Sequence, residues 1–174
     1  MTGTAIQIPM IETDRLRLRA PRLADFEHWA AFFALDRSRF EGGPLDRVQG
    51  YRAWAADVAP WTLRGYGAFR MEDRAGGACL GEVGIYQSAG FPAPEFGWFV
   101  VPGAEGRGCA FEGARAVMAW VRETLGWDRL WSIVDPGNAR SIAPGLRPGG
   151  VIDPTLPRID PGEVVIRHDL RGAP

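Results

Sequence analysis

Residues Gly103–Ala110 carry the clearest chemical signal in the chain, a glycine-rich run (GAEGRGCA) that precedes a long amphipathic segment. Glycines let a ligand approach the backbone, and the first N–H groups of a helix have no acceptor within the helix. The helix dipole adds partial positive charge at this end, and Arg107 adds a full charge. The run therefore predicts a site for an anion such as a phosphate. The alternative is a loop that only connects a strand to a helix.

The elements on either side of this run are predicted by hydrophobic periodicity. Glu95–Val101 is an apolar, aromatic strand ended by Pro102, and Arg129–Val134 is a second buried strand. Between them, Cys109–Leu125 places its apolar residues on one face, as a helix does. These elements predict a right-handed β-α-β crossover with the glycine-rich run at the start of its helix. A dinucleotide-binding fingerprint fits poorly, because its third glycine is absent and the run follows a late strand.

The remaining elements complete a mixed α/β pattern. Alternation and turn residues predict strands over Arg15–Arg19, Ala68–Arg74, Cys79–Gln87 and Glu163–Leu170. A helix with Phe26 and Trp29 on one face follows the first strand, and a second helix begins at the capping residue Asp46 and ends before Pro60. The apolar face of this second helix is predicted to comprise Val48, Tyr51, Ala55 and Val58.

Composition excludes several classes of protein. All 20 basic residues are arginine, which excludes Walker A phosphate loops, protein kinases and pyridoxal-phosphate enzymes, since each needs a lysine. The formal net charge is −1 and there is no basic block, which argues against a nucleic-acid partner. Two histidines and two cysteines lack the spacing of metal ligands, so no metal site is expected.

Length and cysteine content bound the organisation of the chain. The 174 residues are expected to form one domain, 1–174. Two cysteines cannot build a disulfide framework, which favours a reducing compartment such as the cytoplasm. The apolar stretches fall short of the ~20 residues that span a bilayer, and Met1–Met10 lacks the pattern of an export signal. We therefore expect a cytoplasmic protein with no membrane partner.

Four motifs in order resemble one family. Glu105–Ala110 (EGRGCA) resembles the [QR]-x-x-G-x-[GA] signature of the GNAT acetyltransferases, with Glu105 where Gln or Arg is usual. Thr13–Arg19 resembles the opening "TeRLrLR" of the ribosomal-protein N-acetyltransferase branch, the RimJ/RimL type. Glu95–Trp98 resembles its "aEiGyw" strand, and Asn138–Ser141 resembles its "N-x-x-S". The resemblance covers roughly residues 11–170.

This resemblance implies a fold and an activity. The fold is a single twisted mixed sheet of six to seven strands flanked by helices, with a central β-α-β unit that binds acyl-CoA. The activity is transfer of the acetyl group of acetyl-CoA to a primary amine, in a small molecule or at a protein N-terminus, by direct attack. The pantetheine arm lies between two splayed strands, which correspond here to Glu95–Val101 and Arg129–Val134. A homodimer is a further family-level expectation.

The resemblance also assigns residues to the cofactor. Backbone groups of Trp98, Phe99, Val100 and Val101 are expected to hold the pantetheine arm. Backbone N–H groups of Gly106, Arg107, Gly108, Cys109 and Ala110 are expected to hold the pyrophosphate. Asn138 bridges a pantetheine amide, or it only caps a helix.

Direct attack needs a base for the ammonium and an acid for the departing thiolate. Glu95 and Glu82 are the candidate bases, because burial within central strands would raise the pKa of a carboxyl toward neutrality. Glu95 is preferred because it lies at the recurring Glu of the family, and a water chain is the alternative. Ser141 is the candidate acid, against a hydroxyl that only bonds its local backbone. The aromatic residues of the first two helices are mostly core, and a few line the acceptor pocket: Phe32, Phe33, Phe40, Trp54 and Trp61.

Two other functions are considered. In the first, Cys109 at the helix start beside Arg107 is a nucleophile with His28 or His168 as its base. In the second, the chain is a non-catalytic module that binds acyl-CoA. This second reading rests on Ile142–Gly150, where two prolines and three glycines predict that the helix after Ser141 is absent or stunted.

Two further expectations concern the end of the chain and the acceptor. Pro154, Pro157 and Pro161 predict that the last hairpin is irregular. The near-neutral net charge argues mildly against a strongly cationic acceptor.

Overall fold

The computed structural model describes residues 7–91 and 93–171. The helices are α1 (Phe26–Phe33), α2 (Arg47–Arg64), α3 (Cys109–Trp120) and α4 (Ala139–Leu146). The strands are β1 (Ile11–Glu12), β2 (Leu16–Arg19), β3 (Ala68–Asp73), β4 (Cys79–Tyr86), β5 (Glu95–Val100), β6 (Arg129–Val134), β7 (Val151–Ile152) and β8 (Val164–Asp169). Within the described ranges, no helix combines the length and the apolar character needed to cross a bilayer.

The strands form two antiparallel sheets. One has five strands in the order β1-β2-β3-β4-β5, and the other has three in the order β6-β8-β7. The predicted α/β class is confirmed. The eight strands do not form one continuous sheet of six to seven strands but divide between β5 and β6, which form no ladder with each other in the described part of the chain. The resemblance implied this separation of the two strands. The β5-α3-β6 unit is therefore present with its two strands in separate sheets.

Side chains connect the two sheets where a ladder is missing. The Ser132 hydroxyl on β6 donates a 2.5 Å hydrogen bond to the Phe96 carbonyl on β5. The Ile133 N–H donates to the Glu95 carboxylate at 3.1 Å. On β8, the ring of His168 is buried, with Nε2 3.1 Å from Ser132 Oγ. Burial lowers the pKa of His168 to about 4, so the ring is neutral at pH 7. Since the Ser132 hydroxyl already donates to Phe96, the bond is satisfied by the tautomer that carries its proton on Nε2.

The core consists of two clusters of buried apolar side chains. Val117 and Val121 pack with β2, β3 and β4 in the main cluster. A Cβ atom at Gly113 would lie 2.9 Å from Met71 Sδ, so α3 lies too close to the sheet there for any larger residue. The first two helices form a second cluster around β5, in which Phe32 stacks on Phe99 with ring centroids 4.4 Å apart.

Helix α2 begins as predicted, but it buries a different face and extends further. The Asp46 side chain accepts hydrogen bonds from the N–H groups of Val48 and Gln49, which confirms the cap. Val48 and Tyr51 are 62% and 48% exposed, so the predicted apolar face is wrong. The helix continues through Pro60 to Arg64. The buried residues of the helix are Gly50, Trp54, Pro60 and Trp61, because the two large indoles gain more from burial than small aliphatic residues do.

Helix α4 forms, contrary to the prediction that it is absent or stunted. It spans eight residues and contains Pro144. The missing N–H of Pro144 removes one helical bond, while the Asn138 carbonyl accepts from Ser141 and Ile142 at 2.9 and 3.1 Å. At Gly145 a Cβ atom would lie 2.7 Å from Ile166 Cδ1. The glycine therefore permits close packing on β8, and tertiary packing outweighs the low helix propensity. The last hairpin is irregular, as predicted, since β7 has only two residues.

Candidate active site

A cleft of about 300 Å³ opens between β5, the start of α3 and α4; we call it the β5–α3 cleft. Most of the expected cofactor residues line it: Trp98, Phe99, Val100, Gly106, Gly108, Cys109, Ala110 and Asn138. Ser141 also lines it. The sequence therefore identified residues of all three walls, although it predicted that the helix forming the third wall, α4, would be absent or stunted.

Two expected cofactor residues do not line the cleft. The Val101 N–H donates to the Leu80 carbonyl at 3.0 Å and is used within the sheet. The Arg107 carbonyl accepts from the Arg15 guanidinium at 2.8 Å, and Arg107 is not among the residues of the wall. The positive charge of the wall comes from three other residues, Arg37, Arg140 and Arg147.

The start of α3 has the geometry of an anion site. Gly106 and Gly108 have φ angles of +71° and +77°, in the left-handed region that favours glycine. Gly108 is the N-cap residue, and in the described chain no protein group accepts from the N–H groups of residues 106–110. These donors and the positive end of the helix dipole face the cleft. Glu105, where the family usually has Gln or Arg, forms an ion pair with Arg37.

The outer edge of β5 supplies backbone groups to the same cleft. Hydrogen-bonded pairs alternate along an antiparallel ladder. Since Val101 bonds to Leu80 on the β4 side, Trp98 and Val100 direct their N–H and C=O groups away from β4. The same alternation points the Phe96 carbonyl outward, where Ser132 caps it. Beyond that contact the edge is open to a ligand that can pair with it as a strand would.

A second cavity, of about 600 Å³, lies between the first two helices, β5 and the turn at 159–163; we call it the acidic cavity. Its aromatic wall comprises Trp29, Phe33, Phe40, Tyr86, Phe91, Trp98 and Phe99. Phe33 and Phe40 belong to the aromatic set that was expected near an acceptor. Its acidic residues are Glu41, Asp57, Glu95, Asp160 and Glu163.

A small pocket of about 30 Å³ lies where the two larger spaces meet; we call it the connecting pocket. Glu95, Asn138 and Ser141 all line it. Phe40, Glu41 and Trp98 line this pocket and both larger spaces. The structure therefore brings the preferred candidate base and the candidate acid to one place.

The groups in the connecting pocket have chemistry suited to proton transfer. Burial raises the pKa of Glu95 to about 8, although the Ile133 N–H favours its ionised form. A carboxyl with a pKa near neutrality can take and return a proton at ordinary pH. Within the described residues the Ser141 hydroxyl has no hydrogen-bond partner, whereas its N–H donates to Asn138. The alternative of a hydroxyl that only bonds local backbone is not realised here.

Glu82, the other candidate base, lies elsewhere. It is buried next to Arg70, with 3.6 Å between Arg70 Nη1 and Glu82 Oε1, and Arg70 also approaches Asp25. Burial raises the pKa of Glu82 to about 8, so a raised pKa alone does not distinguish it from Glu95. Glu82 lines none of the three spaces described above, and we do not carry it forward as a base.

Two acidic residues of the site, Glu41 and Asp57, were not predicted from the sequence. Glu41 ends a 3-10 helix, Asp36–Glu41, and accepts a 3.1 Å hydrogen bond from the Asn138 amide. Asn138 is the N-cap of α4 but makes no side-chain cap bond, so the simple capping role does not apply. Asp57 lies on α2 between Trp54 and Trp61 at helical spacing. An acidic residue on the same helix face as two tryptophans was the feature of the sequence that could have indicated Asp57.

In the described part of the chain, neither candidate histidine lies in the cleft with the Cys109 thiol. Cys109 is buried at the start of α3 and lines the β5–α3 cleft. His28 is exposed on α1, and His168 is buried against Ser132 and Phe96. Neither histidine lines the cleft, so the structure does not assemble a Cys-His pair there.

Comparison with known proteins agrees with this geometry. Residues 15–144 match the model of the acetyltransferase (GNAT) domain family. The crystal structure of an acetyltransferase from Agrobacterium tumefaciens is similar at 39% identity and a TM-score of 0.89, covering 97% of this chain and 98% of that one. A GnaT-family acetyltransferase from Bordetella pertussis is similar at 24% identity and a TM-score of 0.77, covering 92% and 99%.

A third similar structure was solved with its cofactor. It is RimL, a ribosomal L7/L12 alpha-N-protein acetyltransferase in complex with coenzyme A, with 13% identity and a TM-score of 0.70 over 92% of this chain and 98% of that one. At this identity it shows the fold alone. None of the curated protein sequences matches the chain. The family match spans most of the sequence, and the chain therefore belongs to the GNAT acetyltransferases, which use acetyl-CoA as the acetyl donor.

Proposed function

We propose that this acetyltransferase is an N-acetyltransferase that moves the acetyl group to a primary amine by direct attack. The observation that supports it is that the β5–α3 cleft and the acidic cavity meet at Glu95 and Ser141. A donor in the first space and an acceptor in the second would bring their reacting atoms together, which is a major source of rate acceleration.

In this proposal acetyl-CoA lies in the β5–α3 cleft. The N–H groups of residues 106–110 would hold the pyrophosphate, and the Arg140 and Arg147 guanidinium groups would add charge near it. The open edge of β5 at Trp98 and Val100 would pair with the pantetheine amides. Main-chain recognition of this kind explains why Glu105 is tolerated where the family usually has Gln or Arg.

The acceptor ammonium would transfer a proton to Glu95, and the neutral amine would then attack the thioester carbonyl. A C–N bond forms and the C–S bond breaks. The attacking nitrogen loses its second proton, which the Ser141 hydroxyl relays to the departing thiolate, so that CoA leaves as the thiol and Ser141 is again a hydroxyl. An approaching cation favours the ionised form of a carboxyl. The raised pKa of Glu95 would therefore fall as the ammonium binds, and Glu95 would become a base when the substrate arrives.

Release of CoA thiol from acetyl-CoA in the presence of a panel of amines tests this function. We expect turnover with primary amines and a large loss of kcat in Glu95→Gln. Glu82→Gln is a matched control, because it makes the same change at a carboxyl with a similar pKa outside the site. Binding of CoA with no thiol release across the panel would favour the non-catalytic module instead.

Three finer assignments remain predictions. The RimJ/RimL branch and an N-terminal amine as acceptor are supported by the four motifs, and peptides with defined N-termini test them. A cytoplasmic location is supported by the two free cysteines, Cys79 and Cys109. Sedimentation analysis tests the homodimer, which rests on the resemblance alone.

A further inference from the structure

The charge of the acidic cavity differs sharply from that of the chain as a whole. Five acidic residues line it, and no arginine or histidine is among the described residues of its wall. The whole chain has a formal net charge of only −1. Most acidic residues elsewhere are balanced by neighbouring arginines, whereas those of this cavity are not. The expectation of a weakly charged acceptor, based on the net charge, therefore does not apply to the cavity.

Three of these acids accept hydrogen bonds from protein groups. Glu41 accepts from Asn138, and Glu95 accepts from the Ile133 N–H. Glu163 accepts from the N–H groups of Ile159 and Asp160 at 2.8 Å each, which fixes the turn that carries it. These contacts give the three acids a structural or catalytic explanation, and the fourth acid, Asp160, is exposed to solvent.

Asp57 has no such explanation. Its carboxylate makes no hydrogen bond or ion pair with any residue in the described part of the chain, although it lies on the packed side of α2 and lines the cavity. Burial raises its pKa to about 7. Asp57 is half-buried, and a carboxylate that is shielded from water without a partner is unfavourable, so a cation that enters the cavity would stabilise it.

The aromatic wall of the cavity favours an organic cation over a metal ion. Trp29, Phe33 and Trp98 are among the seven aromatic residues that line it. Trp29 stacks on Phe33 with ring centroids 3.7 Å apart. Aromatic faces attract ammonium groups but are not metal ligands, and no group of acids, histidines or cysteines in the described residues is arranged to hold a metal ion.

We propose that the acceptor is a small organic dication, whose reacting ammonium lies at Glu95 while its second cationic group pairs with Asp57. This inference rests on the proposed function and adds the class of its substrate. The reacting nitrogen gives one proton to Glu95 before it attacks. As the acetyl group moves from sulfur to nitrogen, the nitrogen loses a second proton, which passes through the Ser141 hydroxyl to sulfur, and CoA leaves as the thiol. The second cation is not acetylated in that step, and its pairing with Asp57 selects diamines over monoamines. The cavity of about 600 Å³ is in the range that small-molecule sites occupy.

The test compares 1,4-diaminobutane with 1-aminobutane as acceptors, using the full chain and acetyl-CoA. We expect kcat/KM to be at least tenfold higher for the diamine. The ratio should fall toward one in Asp57→Asn, mainly through KM, and should be retained in Asp57→Glu, which keeps the charge. Asp14→Asn, at an exposed site outside both cavities, is the matched control and should keep the ratio of the wild type.

A second measurement does not depend on turnover. In the presence of CoA, the diamine should raise the Tm of the wild type, and this shift should be largely lost in Asp57→Asn. Equal kcat/KM for the two amines, or an unchanged ratio in folded Asp57→Asn, overturns the proposal that the acceptor is a dication but not the proposed acetyltransferase function. A preference for peptide N-termini has the same consequence. Failure of every amine and peptide to release thiol overturns the proposed function and the inference with it.

Discussion

The Asn138 amide donates a 3.1 Å hydrogen bond to the Glu41 carboxylate, at the boundary between the β5–α3 cleft and the acidic cavity. Asn138 lies at the start of α4, and Glu41 ends the 3-10 helix Asp36–Glu41. This bond therefore ties an element of the proposed donor site to an element of the proposed acceptor site. The burial that raises the pKa of Glu41 is partly offset by Asn138, which favours the ionised form.

Because the two residues share one bond, their effects on acetyl-CoA binding should be coupled. Asn138→Ala should raise the KM for acetyl-CoA by up to about tenfold, because losing a bond to Glu41 worth roughly 1.5 kcal/mol frees the start of α4, and this value is the upper limit of what the loss can cost in binding. Glu41→Ala should raise the KM for acetyl-CoA less in the Asn138→Ala variant than it does in the wild type. A double-mutant cycle on KM measures this coupling. Independent, multiplicative effects would contradict the link.

Glu95 should determine both the rate and its pH dependence. Glu95→Gln should lower kcat by roughly 100- to 10,000-fold, the usual contribution of a general base. A base must be deprotonated in the free enzyme, so kcat/KM should rise with pH and level off above the Glu95 pKa of about 8. Glu82→Gln should keep this ascending limb. A pH profile that Glu95→Gln leaves unchanged in shape would assign the base to another group.

Helix α4 should depend on the missing side chain at Gly145. A Cβ atom there would lie 2.7 Å from Ile166 Cδ1 and 3.4 Å from the Trp98 ring, so Gly145→Ala should displace α4 together with Ser141. We expect a loss of about 1–3 kcal/mol in stability from overpacking and weaker binding of acetyl-CoA. Gly90→Ala is the matched control, because a Cβ atom at Gly90 meets nothing within 4 Å. Equal Tm values for the two variants would contradict this packing.

His168 should make the fold sensitive to acid. Burial lowers its pKa from 6.5 to about 4 in the folded chain, so on acidification the unfolded chain binds the proton first. The stabilisation from the neutral ring is complete above pH 6.5 and is lost between pH 6.5 and about 4. The full loss is about 3 kcal/mol. Because buried carboxyls with raised pKa values shift stability in the opposite direction over this range, the wild type must be compared with a variant.

His168→Gln is the suitable comparison, since glutamine keeps a donor for Ser132 but does not titrate. The unfolding free energies of the two proteins are measured in urea at several pH values. As the pH falls from 6.5 to 4, the wild type should lose stability relative to His168→Gln. A difference that stays constant over this range would show that His168 does not titrate with folding.

The elements around the β5–α3 cleft could be predicted from sequence because their signals are local. Periodicity and terminating residues gave β6 its observed bounds, and the Asp46 cap follows from its side chain alone. Glycines at 106 and 108 predicted the anion site because they let a ligand approach the backbone, and the structure shows in addition that both have left-handed backbone. The separation of β5 from β6 was expected from the family resemblance alone, whereas the Ser132 and Glu95 bonds that connect the two strands join residues distant in sequence and could not be predicted.

The acidic cavity could not be predicted from the same rules. Periodicity assigns polar residues to the solvent face of a helix, and this hid Asp57 on the packed side of α2. Helix propensity argued against α4, but contacts of Gly145 with β8 and Trp98 are not visible in the sequence. Net charge averages over the whole surface, so it carried no information about one cavity wall. In each case tertiary contacts, rather than local preference, decided the outcome.

The position of bound coenzyme A decides whether the proposed function holds. A crystal structure of the chain with CoA should place the pyrophosphate on the N–H groups of residues 106–110, with the pantetheine along Trp98 and Val100. The sulfur should enter the connecting pocket, within hydrogen-bonding reach of the Ser141 hydroxyl and facing Glu95. A pyrophosphate bound away from the start of α3, or a sulfur outside the connecting pocket, would contradict the central claim.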